Sequence, residues 1–229
     1  MIVRAVLFDL FETLVTESET RPAGVSSRAG VLGCEREAFR TQWKAVRPAV
    51  MSGRIPFRQA LRDIATGLGG YPEDAILQRI RDERVQIKAE PFARIEPHVL
   101  MMLDRLRGRN LRLAVVSNCF AEDIVAWPRC SLSSRFDCTV FSCEVGLAKP
   151  DPAIYVEATR RLGIDDVAEA WFVGDGADDE LLGAEHAGLR AFKALWFLRR
   201  WPHFREEPRS ISSLSTVDEF VSVVESTCL

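Results

Sequence analysis

Apolar residues fall into short unbroken runs separated by stretches with helical spacing. Runs that read as strands lie near residues 2–8, 111–117, 138–142, 170–174 and 189–195. Their apolarity is continuous rather than alternating, which predicts parallel strands covered on both faces. Between them the period becomes that of an amphipathic helix. Val99, Met102, Leu103 and Leu106 share one face, with Gly108 placed to end the helix. Asp151 and Pro152 offer an N-cap and a first helical proline, Ile154, Ala158 and Leu162 point inward, and Gly163 marks the stop. Near the C-terminus Thr216 and Glu219 have the spacing of a capping box, followed by an apolar face of Val217, Phe220, Val221 and Val224. Strand and helix in alternation predict an open α/β sheet of Rossmann-like type.

Residues 16–95 interrupt that alternation and contain no strand pattern. Phe39, Trp43, Val46 and Val50 form one helical stripe; Phe57, Leu61, Ile64, Ala65 and Leu68 form a second; Ile76, Leu77, Ile80 and Ile87 form a third. Pro56 and Pro72 are placed as first helical residues, and Gly53-Arg54 lies in a turn between two helices. The expectation is an all-helical insertion at 16–95 within a core made of 1–15 and 96–229.

Composition narrows the class. The chain has 229 residues, 47% hydrophobic and 28% charged, enough for a folded core with a smaller insertion. A net charge of -3 with scattered arginines gives no footprint for nucleic acid. The N-terminus lacks the features of a secretory signal, and no apolar stretch approaches the roughly 20 residues that span a bilayer, so a cytoplasmic protein without a membrane partner is expected. Cys34, Cys119, Cys130, Cys138, Cys143 and Cys228 form no C-x-x-C pair and have no histidine at ligand spacing, so they read as reduced, mostly buried thiols. Cys119, directly after Asn118 and close to a strand end, reads as an inert thiol ahead of the alternative, an oxidation-sensitive one. The segment Trp196–Trp201, with Arg199 and Arg200, reads as a cover for the sheet edge with arginine stems packed on tryptophan faces.

Candidate chemistry sits at strand ends, where open parallel sheets bind their ligands. Asp9 follows the first run and is succeeded by Leu10-Phe11-Glu12-Thr13; Ser117-Asn118 ends the second; Lys149-Pro150-Asp151 precedes a helix; Gly174-Asp175 ends a later strand, ahead of Asp178, Asp179 and Glu180. Taken together and in this order, these four segments resemble the motifs of the haloacid dehalogenase superfamily. The resemblance implies a helical cap of the first cap class, a hydrolase acting on a small-molecule substrate, and Asp9 as nucleophile. It also implies Mg²⁺ held by Asp9, the backbone carbonyl of Phe11, Asp175 and an acidic residue that is either Asp179 or Glu180. Ser117 and Lys149 would support the transferring group, with Asn118, Phe11 and Arg40 toward the substrate. Asp178 reads instead as a complement to the helix dipole.

Phe11 departs from the pattern. Phosphatases of this superfamily carry an acid/base Asp there, a role worth roughly 10²–10⁴ in rate that a benzyl group cannot fill. Its neighbour Glu12 points the other way on an extended backbone and reads as a salt-bridging or capping residue. Three outcomes stay open: a Mg²⁺-dependent phosphatase, favoured by Asp175; a 2-haloacid dehalogenase, whose aromatic residue, cap arginine and tyrosine resemble Phe11, Arg40 and Tyr155; or a non-catalytic binding module. The substrate and the oligomeric state are not legible.

Overall fold

The computed structural model describes residues 3–19, 24–205 and 211–227. Ile2 of the first predicted strand and Cys228 lie outside the described residues. Six strands, β1 (Ala5–Phe8), β2 (Arg112–Ser117), β3 (Cys138–Phe141), β4 (Ala170–Gly174), β5 (Arg190–Ala194) and β6 (Ser213–Leu214), form one parallel sheet in the order β3-β2-β1-β4-β5-β6. The pair Ser213–Leu214 is too short to show a run and was not expected; it extends the edge beside Lys193 and Ala194.

The unbroken apolarity has a direct cause. Val6, Phe8, Leu113 and Val115 face one cluster, while Ala5, Leu7, Ala114 and Val116 face another on the opposite side. The central strands are therefore covered on both faces, as a parallel sheet requires, while Arg112, Arg190 and Ser213 lie exposed at strand starts. Helices α4 (Pro97–Gly108) and α8 (Val217–Thr227) close the first face; α6 (Pro152–Leu162) and α7 (Glu180–His186) close the second, with the short turn α5 (Ser142–Val145) following β3. The expected caps on α6 form: Asp151 accepts from the Ala153 N–H at 2.9 Å, and Gly163 ends the helix with φ 69°.

Between β1 and β2 lie α1 (Arg36–Met51), α2 (Phe57–Gly67) and α3 (Asp74–Ala93). Pro56 is the N-cap of α2 rather than its first residue, and Pro72 stands before Glu73, the N-cap of α3. The three stripes meet in a cluster of their own, containing Phe39, Trp43, Leu61, Ile64, Leu77 and Ile80. Phe120, from the loop after β2, joins it: its ring stacks on Phe57 at 5.9 Å and meets Trp43 edge-on at 5.7 Å. That contact seats the helical insertion over the carboxyl ends of β1 and β2. Among the described residues, no helix is long and apolar enough to cross a membrane.

Candidate active site

β1 lies between β2 and β4, so the sheet order reverses direction at the strand that carries Asp9. Ligand crevices open at such points. Asp9, Ser117 and Asp175 each follow or end one of these three strands, and Lys149 enters from the loop before α6. Lys149 Nζ donates to the Asp9 carboxylate and, at 2.5 Å, to that of Glu180. Asp9, Asp175 and Glu180 present carboxylate oxygens that all lie within 4.8 Å of one another.

This crowding has an electrostatic cost. Burial, opposed by Lys149 and assisted by the charge on Glu180, pushes the Asp9 carboxyl up to about 7. Glu180 is likewise pushed up to about 7 by burial, against Lys149 and with repulsion from Asp175. Asp175 reaches about 6 through burial and the Asp9 charge. Burial alone would depress the Lys149 ammonium, but the carboxylates of Asp9 and Glu180 outweigh it and hold the group above its usual range.

The carboxylate cluster fits a divalent cation. Three carboxylates against one ammonium leave two negative charges in a largely buried space, and hard oxygen donors are what Mg²⁺ takes. Both Glu180 oxygens already have donors, Lys149 Nζ and the Gly176 N–H at 2.9 Å, so Glu180 is held in place by its surroundings. Three hydrogen bonds close the turn after Asp9, using the carbonyls of Leu10 and Val15; none of the three involves the carbonyl of Phe11.

Asp179 and Glu180 are placed differently: of the two, only Glu180 joins the carboxylate cluster. Asp178 and Asp179 both adopt left-handed backbone, φ 50° and 54°, and the chain then enters α7 at Glu180. That turn carries Glu180 back beneath β4, where it is buried, and leaves Asp179 exposed and outside the carboxylate cluster. Gly174 is required there, because a Cβ would stand 2.1 Å from Glu180 Oε1. The Tyr155 hydroxyl donates to the Glu180 carbonyl at 2.6 Å, so it serves this arrangement from beneath.

Arg40 is not brought to the carboxylate cluster or to the cavity beside it. It lies on α1, 67% exposed, and pairs with Glu37 one helical turn away at 2.8 Å. The cavity over the site, of about 330 Å³, is lined instead by Phe11, Trp43, Arg47, Arg84, Lys88 and Asn118. Lys88 Nζ stands 4.4 Å from the centre of the Phe11 ring and 2.5 Å from Glu17; Arg84 pairs with Asp123 at 2.6 Å. These basic residues of α3 had no distinguishing mark in the sequence, since only docking of the helix turns them to the crevice.

Ser117 Oγ is buried and has no hydrogen-bond partner. Asn118 brackets the peptide of Lys149, accepting from its N–H at 2.8 Å and donating to its carbonyl at 2.9 Å, which ties the end of β2 to the loop bearing the lysine. Glu12 accepts from the Glu17 N–H, the Thr16 hydroxyl and the Trp201 indole, all within 2.8 Å. It anchors the Asp9 turn. Trp196 donates to the Thr13 carbonyl at 2.9 Å, so the 196–201 segment buttresses that turn, with Arg200 over Phe197 at 4.9 Å rather than over a tryptophan.

The chain belongs to the haloacid dehalogenase-like hydrolases, whose family model matches residues 3–188. It is 29% identical over 226 residues to the glyceraldehyde 3-phosphate phosphatase of Methanopyrus kandleri, covering 91% of this chain and 89% of that one. It is 30% identical over 195 residues to the phosphatase MT3486 of Mycobacterium tuberculosis, covering 84% and 87%. Among solved structures, a 2-haloacid dehalogenase from Pseudomonas syringae pv. Tomato shares the fold with a TM-score of 0.67 and 23% identity over 98% of this chain and 99% of that one.

Proposed function

We propose that this hydrolase is a Mg²⁺-dependent phosphatase of a small phosphorylated metabolite, with residues 16–95 acting as a cap over the site. One observation carries it: the buried cluster of Asp9, Asp175 and Glu180 has two negative charges more than Lys149 can balance. A carbon–halogen displacement has no use for those two extra carboxylates, whereas phosphoryl transfer has use for the cation they attract. The two relatives at 29% and 30% identity are both named as phosphatases.

In this reading Asp9 attacks phosphorus and the bond to the leaving oxygen breaks, giving an aspartyl-phosphate. Asp9, the carbonyl of Phe11 and Asp175 would hold Mg²⁺, with Glu180 fixing Lys149 and the adjoining turn. When bound, the ion supplies the positive charge that lets one anion approach another. Ser117 gives its unpaired hydroxyl to a phosphoryl oxygen, and Lys149, which opposes the upward pull of burial on Asp9, neutralises charge on the transferring group. Phe11 has no proton to give, so the leaving oxygen takes one from solvent; water then cleaves the aspartyl-phosphate, releasing phosphate and restoring Asp9. The cavity of about 330 Å³, in whose wall Lys88 and Arg84 are paired with Glu17 and Asp123, has room for a small substrate.

Phe11 itself favours a second reading, a 2-haloacid dehalogenase, because halide leaves without a proton. Two release assays on one preparation separate them: inorganic phosphate from a small aryl phosphate with and without Mg²⁺, and halide from a short 2-haloacid with chelator present, each with Asp9→Asn as control. Phosphate release needing both Mg²⁺ and Asp9 is expected. Halide release that survives the chelator would replace the phosphatase with the dehalogenase.

A further inference from the structure

β2 and β3 run side by side with Ser117 opposite Phe141. Each chain continues two residues past that pair, and the side chains that then meet are both cysteines. Cys119 Sγ lies 3.8 Å from Cys143 Sγ. Both thiols are free. Among the described residues this is the only contact between two thiols; Cys34, Cys130 and Cys138 are isolated from other sulfurs.

The two sulfurs are not equivalent. Cys119 is 1% exposed, and burial pushes its thiol well above the usual range. Cys143 is half-buried in the first turn after β3, and its contact with Cys119 holds its thiol below the usual value. The more acidic and more accessible sulfur is the one that reacts with an oxidant, and the buried one stands ready to resolve the product.

We propose that Cys119 and Cys143 form a peroxide-reactive dithiol that closes to a disulfide, a modification site separate from the phosphoryl-transfer chemistry. The Cys143 thiolate attacks the O–O bond of a hydroperoxide, takes the terminal oxygen to become a sulfenic acid, and the other oxygen leaves as alcohol, or as water from hydrogen peroxide. Cys119 then attacks the sulfenic sulfur; the S–S bond forms, the Cys119 proton is lost, and the hydroxyl leaves as water. Two thiols together give up two electrons, and these reduce one peroxide bond.

The location couples this change to the site. The Cys119 N–H donates to Ser142 Oγ at 3.0 Å, and Ser142 Oγ donates to the carbonyl of Met51 in α1 at 2.7 Å. Gly53, in the turn after α1, packs so closely that a Cβ there would stand 2.0 Å from the Cys143 carbonyl oxygen. The bond, about 2.05 Å long against the present 3.8 Å, would join the segment that seats the helical insertion to the one that adjoins Asn118, the bracket of Lys149.

The test uses the full chain treated with a small excess of hydrogen peroxide, blocked with an alkylating reagent, and mapped by mass spectrometry without reduction. A linked peptide pair containing Cys119 and Cys143 is expected, reversed by dithiothreitol, forming about tenfold faster than any oxidation of Cys34, Cys130 or Cys138. Cys119→Ser should halt the reaction at a Cys143 sulfenic acid that dimedone traps, and Cys143→Ser should leave Cys119 reduced. Peroxide reacting first at another cysteine, or no link in the wild-type chain, would overturn the proposal without bearing on phosphatase activity. Loss of phosphate release without the link would equally count against it.

Discussion

Lys149 Nζ lies 2.5 Å from the carboxylate of Glu180, and both side chains are buried. Since the same ammonium also pairs with Asp9, it is one cation shared by two buried anions. Removing one member of a buried pair leaves charge without compensation, at about 3–5 kcal/mol. Lys149→Met should therefore destabilise the metal-free protein by an amount of that order at pH 8, and by less at pH 5, where the carboxyls are protonated. Urea unfolding at the two pH values checks it; equal losses would mean that the charges are not what the lysine serves.

The wild-type chain should show its own pH dependence. Asp9 and Glu180 stand at about 7 and Asp175 at about 6 when folded, against ordinary values of 3.8, 4.5 and 3.8. Between about pH 4 and pH 7 the folded chain therefore binds more protons than the unfolded one. The contribution of these three groups to stability without metal is greatest below that window and falls as pH rises through it, by about 1.4 kcal/mol per pH unit for each proton. Mg²⁺ should raise the thermal midpoint more at pH 7.5 than at pH 5. A midpoint indifferent to Mg²⁺ at pH 7.5 would remove the metal from the account.

Ser117→Ala should separate stability from activity. The hydroxyl is buried and unpaired, so its loss should leave stability unchanged or raise it by up to about 1 kcal/mol. The same change should lower kcat/KM for a phosphoester roughly 10–100-fold, because in the proposed reaction the group donates to a phosphoryl oxygen. Parallel unfolding and rate measurements decide, and an unaffected rate would assign Ser117 to packing alone.

Phe11→Asp should raise turnover of phosphoesters with poor leaving groups by roughly 10²–10⁴, the worth of a positioned acid. Some stability should be lost along with the edge-on contact to Phe92 at 6.2 Å. If leaving-group dependence in the variant matches that of the wild type, position 11 is not the vacant acid/base place.

Glu180→Gln and Asp179→Asn should differ in metal affinity. Glu180 is fixed by Lys149 and the Gly176 N–H, so its neutralisation should weaken Mg²⁺ binding about 10–100-fold. Asp179 is exposed, and its change should have an effect within about twofold. Gly174→Ala should reproduce the Glu180 defect by driving a methyl into Oε1. Calorimetric titration with Mg²⁺ reads all three, and equal affinities would return Glu180 to a purely structural role.

Much of this protein was legible one segment at a time. Unbroken apolar runs marked five of the six strands because both faces of the sheet are packed under helices, and caps such as Asp151 and Gly163 marked α6 because helix ends must satisfy their own backbone groups. Asp9, Ser117 and Asp175 were marked by four segments taken together and in order, and they meet because the ends of adjacent parallel strands lie together. The tertiary structure decided what depends on direction rather than spacing. Two left-handed residues in succession chose Glu180 over Asp179, and nothing in a run of acids announces that turn. The docking of α3 brought Lys88 to Phe11 while α1 turned Arg40 to solvent, although both are basic residues on amphipathic helices. The β2–β3 register set Cys119 against Cys143 across a separation of 24 residues. Periodicity determines which face of an element is buried; only packing of whole elements determines which side chains from distant segments meet there.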